Sequence, residues 1–244
     1  MKQYQLKYKR FGTRSILIEW PKKIDQYILF DVLAFKTSIK FHYIKQKVRI
    51  NHAYNSILIC YDNSIDNIYN TLSDLKDLYL KSESTQLSSR TLWKIPVCYD
   101  QYFGIDLERI SKEKKLAIEE IISIHSQEKY LLYFNGFLPG FMYLGGLKSS
   151  LFMPRLDKPR SQIKAGDVAI GGNQTGVYPQ TSPGGWNIIG NSPLKFFNVH
   201  KEMPCIAAAG DSIQFCPITI EEHQTIKKKI EEGAYEINKV LLDD

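Results

Sequence analysis

Residues 130–197 read YLLYFNGFLPGFMYLGGLKSSLFMPRLDKPRSQIKAGDVAIGGNQTGVYPQTSPGGWNIIGNSPLKFF, and this stretch decides the fold. Glycine and proline recur through it in Gly136-Phe-Leu-Pro-Gly-Phe141, Leu144-Gly-Gly-Leu147, Ile170-Gly-Gly172 and Ser182-Pro-Gly-Gly-Trp186. Glycine permits positive φ and close approach of another group, while proline fixes φ and ends hydrogen-bond ladders, so clusters of both mark built turns. Between the turns lie short apolar runs at Tyr130–Phe134, Val168–Ile170 and Trp186–Ile189. Short strands joined by shaped loops make a barrel or a sandwich.

Two readings of these loops are open. In one, a compact β-barrel needs special turn residues at its corners and nothing more. In the other, Arg155, Arg160 and Lys164, spaced four or five residues apart in the same territory, join the backbone N–H groups of Gly171, Gly172, Gly184 and Gly185 in an anion site. Guanidinium forks grip carboxylate or phosphate in a bidentate way, and successive N–H groups make an anion-binding concavity. The hydroxyls of Tyr178 and Ser182 could bond an amide or carboxylate there or cap their own loop. Phe137, Phe141 and Tyr143 could wall a pocket or fill the core. Asp106 fits a helix cap better than an acid or base.

Outward from that stretch, 244 residues suit one large domain or two small ones. Hydrophobic residues make up 43% and charged residues 24%, the balance of a globular protein. No apolar run reaches membrane-spanning length and the N-terminus has no signal-peptide pattern, so a cytoplasmic protein without membrane contact is expected. The net charge of +6 is scattered rather than gathered, which argues against a nucleic-acid partner. Cys60, Cys98, Cys205 and Cys216 form no paired motif, and no metal site is expected.

In chain order, strands are expected at 4–11 and 15–20, a helix at 24–41, strands at 48–50 and 56–61, and a helix at 65–80 capped by Ser64. This is a small α+β domain over residues 1–88. The serine-rich segment 81–90 reads as a linker. The second domain, 89–244, opens with a strand at 92–99, followed by helices at 105–111 and 116–123. After the glycine-rich stretch come strands at 205–209 and 213–215, and the periodic segment 219–242 reads as one amphipathic outer helix.

The stretch closely resembles the family that holds PxpB, the B-type component of bacterial 5-oxoprolinase, and the sporulation kinase inhibitor KipI, also called allophanate hydrolase subunit 1. The matching pieces are GFLPGFMYLGGL at 136–147, PRLDKPRSQIKAGDVAIGG at 154–172 and QTGVYPQTSPGGWNIIGNSPL at 174–194, flanked by IPVCYDQYFGIDL at 95–107 and AAAGDSIQF at 207–215. Asn135 and Met142 depart from common family forms, which bears on substrate detail more than on membership. The resemblance implies a cyclophilin-like β-barrel for the second domain. It also implies a subunit of an ATP-dependent 5-oxoprolinase that opens 5-oxo-L-proline to L-glutamate and has little turnover alone.

On that reading the chain works with a partner of the PxpC or KipA type and a further partner of the PxpA type, and ATP, with magnesium, is shared with the partner. No Walker loop and no Gly-x-Ser-x-Gly elbow occurs here: the nearest string, 171–176, lacks the lysine and hydroxyl. That supports a site completed by another polypeptide. His125 matches the family's Ile-His-Ser position, so it, Arg155 and Arg160 are the catalytic candidates; a histidine at a helix end can equally cap carbonyls. The alternative functions are a KipI-type inhibitor of a sensor histidine kinase and a subunit of an allophanate or urea-degrading system.

Overall fold

The computed structural model describes residues 4–44, 46–82 and 90–242; most of the linker read at 81–90 lies outside them. The chain divides into two compact units, Met1–Ser88 and Ser89–Asp244.

The first unit contains β1 (Lys7–Arg10), β2 (Ser15–Glu19), α1 (Gln26–His42), β3 (Val48–His52), β4 (Ser56–Tyr61) and α2 (Ile68–Lys81). Its sheet runs β1-β2-β4-β3, antiparallel throughout. Alternation along β2 and β4 points Ile16, Ile18, Ile57 and Ile59 inward, all fully buried, against Val32, Phe35, Ile39 and Leu75 of the helices. One carboxylate enters this core with its partners in place: Asp31 Oδ2 accepts from Trp20 Nε1 and from the Tyr79 hydroxyl, each at 2.6 Å. Helix α2 starts three residues later than its apolar spacing suggested. Asn67, not Ser64, is the cap, and its side chain accepts from the Asn70 N–H at 3.1 Å.

The second unit contains β5 (Arg90–Cys98), α3 (Leu107–Lys114), α4 (Ile118–Gln127), β6 (Tyr130–Asn135), β7 (Met142–Gly145), β8 (Arg160–Ile163), β9 (Asp167–Gly171), β10 (Gln174–Val177), β11 (Ser182–Gly184), β12 (Asn187–Asn191), β13 (Ser212–Ile218), α5 (Ile220–Glu231) and β14 (Lys239–Leu242). Seven strands, in the order β12-β9-β10-β7-β6-β13-β5, close into a barrel where Asn191 pairs with Cys98. The β13–β5 pair is parallel and the others are antiparallel. The class expected from the sequence, an α+β unit followed by a mainly β barrel, therefore stands.

Two apolar layers follow from the pleat. Leu132, Leu144, Val168, Ile170, Val177, Ile189, Ile213 and Phe215 fill the interior. Ala169 and Ile188, on the opposite faces of β9 and β12, join Phe141, Ile163, Tyr178 and Trp186 in a second cluster outside the barrel wall. Beside it lies the two-stranded ribbon of β8 and β11. That outer layer positions the site.

Two expectations fail at the C-terminal end. Segment 205–209 is not a strand, its ladder contact being a single bridge from Cys205 to Phe197. Segment 219–242 is not one helix. Its first part, α5, carries a capping box at Thr219 and Glu222, and Gly233 at φ +72° ends the helical run. The chain then returns as β14, whose residues Lys239–Leu242 pair with the N-terminal half of β5.

Candidate functional site

The outer layer is built on glycine. A Cβ on Gly171 would lie 2.5 Å from three ring atoms of Trp186, and one on Gly176 would lie 3.3 Å from the same ring. The indole therefore rests on bare backbone. Phe141 meets Trp186 edge-on at 5.5 Å and Tyr178 at 5.2 Å, while Tyr143 stacks on Phe134 at 4.4 Å. Gly184 makes room in the same way, since its Cβ would come within 2.5 Å of both Ile163 Cδ1 and the Tyr178 hydroxyl. Gly172, at φ +66°, donates its N–H to Met153 O at 2.6 Å. Gly185 accepts the Leu156 N–H at 2.7 Å. Of the glycines expected to cradle an anion, Gly171 and Gly184 make room for the aromatic layer, Gly172 spends its N–H on Met153, and Gly185 uses its carbonyl on Leu156, just beyond η1 (Ser149–Leu151), a 3-10 turn.

The three cations lie around this layer but differ in their surroundings. The Arg160 guanidinium forks onto Asp106, Nη1 to Oδ2 at 3.0 Å and Nη2 to Oδ1 at 2.8 Å. Asp106 is buried and also accepts the Ile188 N–H at 2.7 Å. The expectation that Asp106 caps α3 is corrected: it occupies the cap position without a side-chain capping bond and joins that helix start to β8 and β12. Arg160 is held by this clamp rather than presented to a ligand.

Lys164 Nζ lies 5.3 Å from the Tyr102 ring centroid, and its backbone N–H donates to Asp167 Oδ2 at 2.9 Å. Burial raises the Asp167 carboxyl pKa, opposed by the hydrogen bonds from Asn191 and Lys164 and by the charges of Lys164 and Arg160. Arg160, Lys164 and Asp167 line one cleft of about 70 Å³ with Tyr102 and Phe103. With Asp106 in reach its two cations face two carboxylates, so it has no surplus positive charge for an anion.

Arg155 is different. It is exposed, its guanidinium stands 5.7 Å over the Trp186 ring, and no carboxylate among the described residues pairs with it. Burial raises the hydroxyl pKa values of Tyr143 and Tyr178, and in both the Arg155 charge works against the rise, which places it within electrostatic reach of both. The Asp167 charge adds to the rise at Tyr178. Ser182 Oγ turns back to Pro183 O at 3.2 Å, the local capping that was one of its two readings.

His125 lies elsewhere, fully buried in the barrel interior. Nδ1 is 2.7 Å from the Tyr99 hydroxyl and Nε2 is 2.8 Å from Thr175 Oγ1. Because the Thr175 hydroxyl donates to Ala169 O at 3.1 Å, it accepts from Nε2–H, and Tyr99 then donates to Nδ1. The ring stacks on Phe215 at 4.7 Å. Burial pulls its pKa down to about 3. A neutral imidazole with both nitrogens bonded inside the core has no face for a substrate, so the expected catalytic role has no geometric support.

Sequence reasoning passes over Trp186, Asp167 and Asn191, and gives His223 a surface or core placement, of which the core one holds. The last three form a buried chain: Asn191 Nδ2 donates to Asp167 Oδ1 at 2.8 Å, and Asn191 Oδ1 is 2.9 Å from His223 Nε2. Asn191 sits where the barrel closes, a relation no local pattern announces. Trp186 has a local signal, the Gly-Gly before it, but the same pair also fits a turn, and the glycines that seat its ring, Gly171 and Gly176, lie ten or more residues away.

The family described as "carboxyltransferase domain, subdomain C and D" matches residues 6–207. The chain belongs to this family. It is 31% identical over 237 residues to the 5-oxoprolinase B-type component of Bacillus subtilis, covering 93% of this chain and 98% of that protein. It is 40% identical over 147 residues to the corresponding 5-oxoprolinase component of Haemophilus influenzae, covering 60% of this chain and 68% of that one. The solved urea amidolyase of K. lactis superposes with a TM-score of 0.83 at 17% identity; the match spans 98% of this chain and 16% of that one, and bears on the fold alone. Another solved structure, 28% identical with a TM-score of 0.73, is matched over 84% of this chain and 40% of its own length. In such structures the family's fold is one part of a longer polypeptide.

Proposed function

We propose that this chain is the B-type component of an ATP-dependent 5-oxoprolinase, opening the lactam of 5-oxo-L-proline to L-glutamate with PxpC-type and PxpA-type partners. The names of the relatives supply the reaction, and the observation that carries the reading on this chain is Arg155. An exposed guanidinium with no carboxylate partner among the described residues, backed by an indole and within electrostatic reach of Tyr143 and Tyr178, suits a small acid whose carboxylate takes the fork from the solvent side. The chain's part is to bind and orient the acid. Its residues do not fit a self-contained magnesium–ATP site. The Gly172 N–H is spent on Met153, and the string 171–176 lacks the lysine and the hydroxyl that would reach nucleotide phosphates and magnesium. The nucleotide is assigned to a site completed by the PxpC-type partner.

The test is ATP-dependent glutamate formation by the co-purified assembly. The isolated chain should show no turnover, and Arg155→Ala should raise KM by ~100-fold, the loss of a desolvated charged pair of hydrogen bonds. An assembly that never consumes 5-oxoproline overturns the activity; an unchanged KM in Arg155→Ala overturns the site.

One observation favours a second reading, a protein-docking inhibitor of a sensor histidine kinase. Phe137 is held at φ +67° in the β6–β7 loop and is 64% exposed, which suits contact with another protein. Loss of kinase autophosphorylation on adding the chain, and its recovery with Phe137→Ser, would support that reading.

A further inference from the structure

Lys36, on α1 in the first unit, is half-buried, and its Nζ lies 2.9 Å from Nδ1 of His52 at the end of β3. Most lysines put their charge in water or beside a carboxylate. No ion pair joins Lys36 to an acidic side chain among the described residues. The charge it does feel is that of Lys40, one turn further along the same helix and exposed. An ammonium has donors only, so Nδ1 is the acceptor and the His52 ring proton sits on Nε2. Burial first and Lys40 second bring the amine from 10.5 down to about 8. The imidazole thus holds an amine that carries a lone pair in an appreciable fraction of molecules at neutral pH.

We propose that Lys36 and His52 form a nucleophilic amine site that takes up acyl groups from activated acyl donors of the acyl phosphate class. In the step, the Nζ lone pair attacks the acyl carbon, a C–N bond forms, and the C–O bond to phosphate breaks with its electron pair leaving on inorganic phosphate. The proton released by Nζ passes to His52 Nδ1 and from there to solvent. The site belongs to the first unit and does not depend on the 5-oxoprolinase reading.

The experiment uses the full chain, acetyl phosphate at pH 7.5 and site-resolved mass spectrometry, with Lys40 as comparator on the same helix. An amine at about 8 is neutral in roughly a quarter of molecules at that pH, against about one in a thousand for an ordinary lysine; after allowance for half-burial and weaker basicity, Lys36 should react at least about tenfold faster than Lys40. In urea the two rates should converge, and in His52→Gln, which keeps an acceptor but cannot take the proton, the ratio should fall toward one. Equal or slower labelling of Lys36 in the folded chain overturns the site, and an undiminished ratio in His52→Gln overturns the role of the imidazole.

Discussion

Replacing His125 with Phe separates a buried structural histidine from a working one, and the pH dependence carries the discrimination. The ring is neutral in the folded chain down to about pH 3, whereas in the unfolded chain it takes up a proton below its ordinary 6.5. Between those values the unfolded state binds more protons, so the contribution of this residue is fully favourable above pH 6.5 and is lost as the pH falls. From pH 7 to pH 5 the loss is about 2 kcal/mol, one and a half pH units at 1.36 kcal/mol each. Phe keeps the stack on Phe215 and does not titrate. It leaves the Tyr99 hydroxyl without its acceptor, a cost of about 1–3 kcal/mol. The variant should therefore be less stable at pH 7, and the gap should shrink by about 2 kcal/mol at pH 5, closing or reversing. His223, also depressed by burial, is present in both proteins and cancels. Urea unfolding of the barrel unit at the two pH values measures this directly. A gap of the same size at both would refute the argument, because the ring would then be titrating in water.

The clamp on Arg160 and the glycine floor give two more tests. Arg160→Ala leaves Asp106, 5% exposed, with the Ile188 N–H and a distant Arg109 at 3.9 Å. Breaking a fully buried pair costs about 3–5 kcal/mol, and the 30% exposure of Arg160 lowers that to about 2 kcal/mol, read from urea unfolding; a loss under about 0.5 kcal/mol would mean the clamp holds nothing. Gly171→Ala should cost about 1–3 kcal/mol and shift tryptophan fluorescence as the Trp186 ring is displaced. Gly185→Ala, whose nearest neighbour would be an ordinary 3.6 Å away, should change neither.

The first unit was legible because its helices and strands are amphipathic at their own periods: Ile16, Ile18, Ile57 and Ile59 alternate, and Val32, Phe35 and Ile39 recur at helical spacing. The barrel was legible as short strands between built turns. What local pattern does not carry is closure. The return of Lys239–Leu242 onto β5 and the Asn191–Cys98 contact join residues about ninety or more apart in the chain, and an apolar residue every third or fourth position in 219–242 fits a helix until Gly233 breaks it. The site divides along the same line. Spacing brought Arg155, Arg160 and Lys164 to attention as equals, yet Asp106, more than fifty residues away, neutralises one of them, and Asp167 lies against another.

The surroundings of Arg155 also limit what this chain can bind alone. Trp186 is 4% exposed, with Gly171 beneath its ring and Arg155 above it, so a ligand reaches the guanidinium from the solvent side without entering the aromatic layer. An ion pair made in water contributes on the order of 0–1 kcal/mol, because both partners stay hydrated and salt screens them. A millimolar Kd already needs about 4 kcal/mol, so titration of the isolated chain with 5-oxoproline should yield a Kd weaker than about 1 mM. Covering the same guanidinium with a second polypeptide removes water from both charges and turns the contact into a desolvated, bidentate one worth several times more. Affinity should therefore appear on assembly, vanish in Arg155→Ala, and fall with added salt far less than an exposed pair would. A micromolar Kd for the isolated chain would show that its own fold already excludes the water.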